Sequence, residues 1–158
     1  MRPRSLDDFL AKARIPYTTF RHAPAFTAMH AAAASHVPGI SWAKTVVCLA
    51  DGEAIFAVVP AHYTVDLEKL RAIAGATTVR LANPCEIAEL YPDCEEGTMP
   101  PFGLLYMQRV FVEQCFVGDP EMVFHAGTYT DCVRLHYGDF VDIAQPVVGC
   151  FSSPRVES

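Results

Sequence analysis

Lys44 is the residue whose type and setting point most directly to chemistry. It carries the only charge within residues 40–49, a segment otherwise rich in apolar and β-branched residues. Side chains alternate along a strand, so Lys44 is expected to share a face with Trp42, Val46 and Cys48. Burying an unpaired ammonium is costly. The sequence therefore leaves two roles open for Lys44: its amine reaches solvent, or it binds an anion.

A second chemical feature is the loop at residues 97–103, which contains two glycines, two prolines and one phenylalanine. Glycine permits unusual backbone angles and proline stiffens the chain, so such a loop holds its N–H groups in fixed directions. Fixed N–H groups suit an oxyanion or an ester carbonyl, because they need no reorganisation when charge develops. The alternative is a plain structural turn. If the loop meets a substrate, Gly97→Val and Gly103→Val should both reduce turnover more than thermal stability.

The other reactive side chains show no catalytic or metal-binding spacing. The six cysteines are scattered without a Cys-x-x-Cys pair, so we expect thiols and regard a cysteine-based redox protein as a minor alternative. His22, His30 and His36 lack the spacing of a helical metal pair, and no Gly-x-Ser-x-Gly elbow is present. The sequence therefore predicts no metal and no cofactor. Structural roles are predicted for Met99, Met107 and Met122 in the core and for Asp131 and Asp139 in turns and caps.

Composition and charge limit the class of protein. The chain has 158 residues, of which 51% are hydrophobic, a size typical of one domain. No apolar run approaches the roughly 20 residues that a membrane helix needs. Charges occupy the first residues where a signal peptide would be apolar, so a cytoplasmic location is expected. A net charge of −6 argues against DNA binding or any broad nucleic-acid surface, but allows a small local contact.

Helix and strand signals follow one another irregularly along the chain. Capping residues and helical spacing predict helices at 5–14, 27–36, 66–74 and 84–91. Alternation and turn residues predict strands at 17–20, 42–49, 54–59, 77–81, 108–117, 122–125 and 132–136. This pattern predicts an α+β fold with a largely antiparallel sheet and flanking helices. We expect one domain over residues 1–150 and a flexible tail at 151–158.

The order of these parts resembles the YbaK/prolyl-tRNA synthetase-associated domain family, whose members hydrolyse mischarged tRNA. The resemblance covers about residues 5–146. It rests on four segments: His22-x-Pro24-x-x-Thr27-Ala28, Ala43-Lys44-Thr45-Val46-Val47, Gly97-x-x-x-Pro101-Phe102-Gly103 and Phe124-x-Ala126-Gly127. The lysine on its strand and the Gly-x-x-x-Pro loop are the specific features among them.

The resemblance implies a cleft formed by the Lys44 strand, the 97–103 loop and the strand that ends at Gly127. Family members use no metal and no side-chain nucleophile. By this likeness Lys44 would hold the 3′-terminal nucleotide, and loop N–H groups would steady the ester carbonyl while water attacks with help from the ribose hydroxyl. Catalytic roles would then fall to Lys44, Gly97, Pro101, Phe102 and Gly103, and substrate contacts to Thr45, His125 and Gly127.

The function expected from this likeness is a free-standing hydrolase that releases small amino acids from mischarged tRNA. Its partner would be the acceptor 3′ end of a tRNA, with an aminoacyl-tRNA synthetase as a second candidate partner. Phe102 and His125 would wall a small pocket, although a structural histidine is the alternative for His125. The competing function is a module that binds an aminoacyl-tRNA end or a synthetase without turnover.

Overall fold

The computed structural model describes residues 4–14, 16–21, 42–95, 97–103, 106–118, 121–128 and 130–154. Its helices are α1 (Arg4–Ala13), α2 (Leu67–Ala74), α3 (Pro84–Leu90) and α4 (Tyr137–Ala144). Its strands are β1 (Tyr17–Arg21), β2 (Ala43–Ala50), β3 (Glu53–Pro60), β4 (Tyr63–Val65), β5 (Val79–Leu81), β6 (Val110–Glu113), β7 (Glu121–His125), β8 (Asp131–His136), β9 (Val147–Gly149) and β10 (Ser152–Pro154). The predicted α+β class is confirmed, while the helix predicted at 27–36 lies outside the described residues.

The described strands form a sheet in the order β5-β2-β3-β6-β9, a second in the order β1-β8-β7, and the pair β10-β4. Most pairs are antiparallel, as predicted, but β6 runs parallel to both β3 and β9. The β2–β3 hairpin is paired from Ala43–Pro60 to Ala50–Glu53. Its turn residues Asp51 and Gly52 both have positive φ, at 50° and 85°, which suits the right-handed twist of a hairpin.

Two apolar clusters cover the two faces of β2 and β3. The first contains Val47 and Phe56, together with Leu6 and Leu10 of α1. The second contains Cys48 and Val59 with Leu70 of α2, and Val46 packs against it. The alternation predicted for β2 is therefore confirmed. Of the methionines predicted in the core, Met99 and Met122 are buried, whereas Met107 is 95% exposed and that prediction is wrong.

The predicted strand at 108–117 is shorter in the structure. It forms β6 and then turns into a short 3-10 helix at Gln114–Gly118. The last residue of β6, Glu113, is buried, and its Oε1 accepts hydrogen bonds from Phe151 N (3.0 Å), Ser152 N (2.8 Å) and Ser152 Oγ (2.6 Å). Phe151 is itself fully buried. The prediction of a flexible tail is therefore wrong for residues 151–154, because this carboxylate and this ring hold them in place.

Helix α4 is absent from the sequence prediction, which ended the preceding strand at Gly138. In the structure Gly138 lies in the first turn of α4, and Asp139 belongs to that turn instead of capping it. Tyr137 and Phe140 are buried on the inner face, with Val141 and Ala144 beside them. This spacing is a helical signal that the glycine obscured.

The capping signals of α2 and α3 are confirmed. The Asp66 side chain accepts from the N–H groups of Glu68 and Lys69, and Gly75 ends α2 with a φ of 67°. Asn83 and Glu86 form the predicted capping box of α3. The two terminal nitrogens of the Arg80 guanidinium, Nη1 and Nη2, also donate to the two carboxylate oxygens of Glu86, each over 2.8 Å.

Acid should weaken the fold through Glu86. The guanidinium of Arg80 and the backbone N–H of Asn83 lower the pKa of this carboxyl from 4.5 to about 2. A carboxyl whose pKa is lower in the folded state contributes stability above its unfolded pKa and loses that contribution as pH falls through its folded pKa. We expect Glu86→Gln to lower the free energy of unfolding near neutral pH and to have a much smaller effect near pH 2, as measured by urea denaturation. Equal destabilisation at both pH values would contradict this assignment.

Candidate active site

The edge of β2 that faces away from β3 is paired near both of its ends. At one end β5 pairs with residues 48–50 of β2, and Ala82 N–H donates to the Val47 carbonyl over 3.0 Å. At the other end a parallel bridge joins Trp42 to Val123 of β7. No described strand pairs with this edge at residues 44–46. Within the described part of the chain, β2 is therefore left unpaired between β5 and β7, and this stretch is called the opening below.

Lys44 lies at this opening and is half-buried. Trp42, two residues before Lys44, forms a parallel bridge with Val123, two residues before His125. The rings of Trp42 and His125 are in contact, with centroids 5.5 Å apart. The bridge and the ring contact thus bring the Lys44 segment of β2 close to the His125 end of β7, although the two segments are distant in the chain.

The 97–103 loop is fastened to the chain just beyond β7. Glu95 N–H donates to the Gly127 carbonyl over 2.9 Å, and Gly127 N–H donates to the Thr98 carbonyl over 2.8 Å. The Thr98 hydroxyl donates to the Glu95 carbonyl over 2.6 Å, which tightens the turn around Gly97. Gly127 follows His125 by two residues. The loop is therefore tied to the same strand end that carries His125.

Gly97 is the exposed residue of the loop, and residues 98–103 are buried. The φ of Gly97 is 79°, a left-handed conformation that favours glycine. No atom of the described residues lies within 4 Å of the position where a Cβ on Gly97 would stand. The backbone near Gly97 is thus the part of the loop that a substrate can approach.

Phe102 is fully buried, so the structure does not place it on the wall of an open pocket. Its ring packs against Phe9, Phe124 and Phe140, with centroids 5.3, 5.5 and 5.7 Å away. Pro101 beside it is also buried. These two residues can act on a substrate only by holding the loop in place.

The Thr45 side chain is buried on the face of β2 opposite to Lys44. Because the Val47 carbonyl points toward β5, the backbone groups of Thr45, two residues earlier, point to the same edge. That edge is the opening. The residue as a whole is only 6% exposed, so the structure does not present Thr45 as a surface for a substrate.

Side-chain hydrogen bonds hold the turn that follows Gly127, and no sequence pattern had suggested a role in the site for these side chains. Thr128 Oγ1 donates to Asp131 Oδ2 over 2.7 Å and accepts from Asp131 N–H over 2.9 Å. The other oxygen of Asp131 accepts from Arg21 Nε of β1 over 3.0 Å. Asp131, predicted as a turn or cap residue, is the first residue of β8, and its side chain bonds back to the turn. These contacts fix the direction in which Gly127 meets the loop.

Cys132 is the cross-strand partner of His125, so a cysteine and a histidine are neighbours at the site. Burial raises the pKa of the Cys132 thiol to about 12. The thiolate is the nucleophilic form, so this thiol is inert at neutral pH. Burial also raises the pKa of Cys48 to about 12. The raised pKa values of these two thiols favour water over either cysteine as a nucleophile at neutral pH.

The described part of the chain contains no group of three His, Cys, Asp or Glu side chains arranged to hold a metal ion. Its helices are all too short or too polar to cross a membrane.

Two known structures share this fold. Hypothetical protein APE2540 superposes with a TM-score of 0.86 at 20% identity, over 95% of this chain and all (100%) of the other. A candidate trans-editing enzyme for prolyl tRNA synthetase superposes with a TM-score of 0.79 at 22% identity, over 95% of this chain and 96% of the other.

Sequence comparison gives the family. The chain is 31% identical over 109 residues to the multifunctional Ser/Thr-tRNA deacylase ProXp-y of Escherichia coli (strain K12). That match covers 66% of this chain and 65% of the relative, so the chain spans just under two thirds of the relative's length. Residues 22–143 match the model of the aminoacyl-tRNA editing domain, which confirms the resemblance to the YbaK group. Since that match covers most of the sequence, this chain belongs to the aminoacyl-tRNA editing domain family.

Proposed function

We propose that this protein is an aminoacyl-tRNA deacylase, a hydrolase that cleaves the ester between a small amino acid and the 3′ end of a mischarged tRNA. The observation that carries the proposal is that β2 bridges β7 next to Lys44, at an edge that no described strand pairs, while the 97–103 loop is tied to Gly127 just beyond β7. Membership of the editing domain family and the deacylase name of the Escherichia coli relative support it.

Lys44 supplies the positive charge that a tRNA end requires. Its ammonium would bind a phosphate or ribose oxygen of the terminal nucleotide, as a compact point charge with three donors. The protein carries a net charge of −6, so broad attraction to tRNA is not available. One local contact at the acceptor end needs only one or two phosphates, which an acidic protein can meet.

The loop supplies the polar groups for the ester. Water adds to the ester carbon, and N–H groups near Gly97 meet the negative charge that develops on the carbonyl oxygen. The C–O bond to the ribose then breaks, and the ribose oxygen takes up the proton that water releases. The products are a free amino acid and a tRNA with an intact 3′ end. The left-handed turn at Gly97 and the ties to Gly127 hold these groups ready before the substrate arrives.

A deacylation assay with a panel of mischarged tRNAs tests the proposed function. We expect catalytic release of alanine, serine, threonine or cysteine, with many turnovers per protein molecule. Binding with no release above the uncatalysed rate would instead support a module that sequesters aminoacyl-tRNA. The same panel, run with and without purified prolyl-tRNA synthetase, tests whether such a partner changes the rate.

His125 is expected to limit the size of the aminoacyl group. The residue is 5% exposed and its ring rests on Trp42, so a small, rigidly held part of its surface is what would meet the aminoacyl group. Apolar contacts distinguish one methylene by only about 10- to 200-fold, but exclusion of a larger side chain can be much stronger. The wild type should therefore release small groups and refuse phenylalanine, while His125→Ala should widen the range, as measured by kcat/KM across the panel.

The matched control is His136→Ala. His136 is exposed on β8 and pairs with Glu121, at the end of β7 opposite to His125. This variant should keep the wild-type selectivity. If the wild type hydrolysed phenylalanyl-tRNA as fast as the small esters, size selection by His125 would be wrong.

A further inference from the structure

The C-terminal end of the 97–103 loop is built directly on Gln108. The Gly103 carbonyl accepts hydrogen bonds from Tyr106 N–H and Gln108 N–H, each over 3.0 Å. A Cβ on Gly103 would overlap the Gln108 carbonyl oxygen. The backbones of Gly103 and Gln108 are therefore in contact, and any movement of Gln108 reaches the loop.

The side chain of Gln108 continues this link to the end of α3. The Tyr91 hydroxyl donates to Gln108 Oε1 over 2.7 Å. Tyr91 is 2% exposed, and its N–H donates to the Ile87 carbonyl over 2.9 Å, which fixes it to the last turn of α3. Burial raises the pKa of Tyr91 to about 12, so the hydroxyl keeps its proton at neutral pH.

Aromatic packing closes the same region. The rings of Tyr91 and Tyr106 meet edge to face at 4.8 Å, and both pack on Phe56 of β3, at 5.5 and 5.6 Å. The Tyr106 hydroxyl also lies 3.5 Å from Cys94 Sγ. The chain segments on either side of the loop, at Tyr91 and at Tyr106, are thus packed against the same ring of β3.

We propose that Tyr91 and Gln108 are positioning residues, whose hydrogen bond sets where the 97–103 loop presents its N–H groups. The bond closes the base of the loop, while the two bonds to Gly127 hold its opposite side. Neither residue touches the reacting atoms. The expected effect on catalysis rests on the proposed deacylase function, whereas the effect on the loop itself does not.

Tyr91→Phe tests this role, because it removes the hydroxyl and keeps the ring. We expect kcat for deacylation to fall about 10-fold with little change in KM, as loss of one hydrogen bond that acts on transition-state geometry predicts. Amide hydrogen exchange at Gly97, Thr98, Met99, Phe102 and Gly103 should quicken by a similar factor. Gln108→Met removes the acceptor and should give the same pattern. If the two residues act through one bond, the double variant should be no worse than the worse single variant.

Tyr137→Phe is the matched control. Tyr137 is also buried, but its hydroxyl has no hydrogen-bond partner among the described residues, so its removal should leave kcat and loop exchange unchanged. Unchanged loop exchange in Tyr91→Phe, or a rise spread evenly over the whole chain, would overturn the proposal. If the wild type shows no deacylation, the proposed function fails, and amide hydrogen exchange in the loop still tests the positioning role. If Tyr91→Phe does not fold, the same exchange measurement on Gln108→Met tests that role.

Discussion

Replacing Lys44 by methionine is expected to reduce kcat/KM for deacylation by about 100-fold or more. Removal of one preorganised donor from an active site typically costs 100- to 1,000-fold, and Lys44 would be the group that meets the terminal nucleotide. Methionine keeps an unbranched apolar side chain at this position of β2, so the packing made by the lysine stem is largely retained. Unfolding in urea should therefore change little. Lys44→Arg should also be impaired, because a planar fork does not replace a compact ammonium in a narrow opening.

Lys69→Met is the matched control, because Lys69 is an exposed lysine on α2. It makes the same change in net charge and should keep full activity. Comparable losses in the two variants would show that activity follows overall charge. A fully active Lys44→Met enzyme would remove Lys44 from the proposed mechanism.

Local signals in the sequence were sufficient to place Lys44. The hairpin turn at Asp51-Gly52 fixes the register of β2, and alternation then fixes the face that Lys44 occupies. The caps of α2 and α3 were also predictable, since each depends on residues within one helical turn. Such features need no knowledge of distant parts of the chain.

The approach of the His125 end of β7 to the Lys44 segment could not be derived in this way. It depends on a parallel bridge between Trp42 and Val123, which are far apart in the chain, and no local pattern specifies that contact. Only the family resemblance predicted that His125 belongs to the site. The opening beside Lys44 is likewise defined by where β5 and β7 stop, which is a property of the assembled sheet.

The 97–103 loop shows the same limit in its side chains. Its composition predicted a rigid loop, but not which residues would face outward. Phe102 looked suitable as a pocket wall, yet three other aromatic rings enclose it. Burial of a large ring is strongly favourable, so the residue with the most apolar surface became the anchor of the loop.

Gly103→Ala is expected to destabilise the fold strongly, which revises the expectation that both loop glycines affect turnover more than stability. A Cβ there would overlap the Gln108 carbonyl and lie 2.7 Å from Val110 Cγ2. The carbonyl belongs to the backbone and cannot rotate away as a side chain could. Overpacking of this kind costs typically 1–3 kcal/mol and occasionally more, and we expect about 3 kcal/mol or more from urea denaturation.

Gly97→Ala should behave differently, because a Cβ at Gly97 would meet no atom within 4 Å. Its φ of 79° is strained for alanine, so a cost of roughly 1–2 kcal/mol is expected. Any relaxation of that angle turns the N–H groups nearest the substrate, so kcat should fall more than stability does. The decisive measurement is therefore the comparison of the two variants by urea denaturation and by kcat under conditions where both are folded. If Gly103→Ala were as stable as the wild type, the close approach to Gln108 would be wrong, and with it the contact through which Gln108 is proposed to act on the loop.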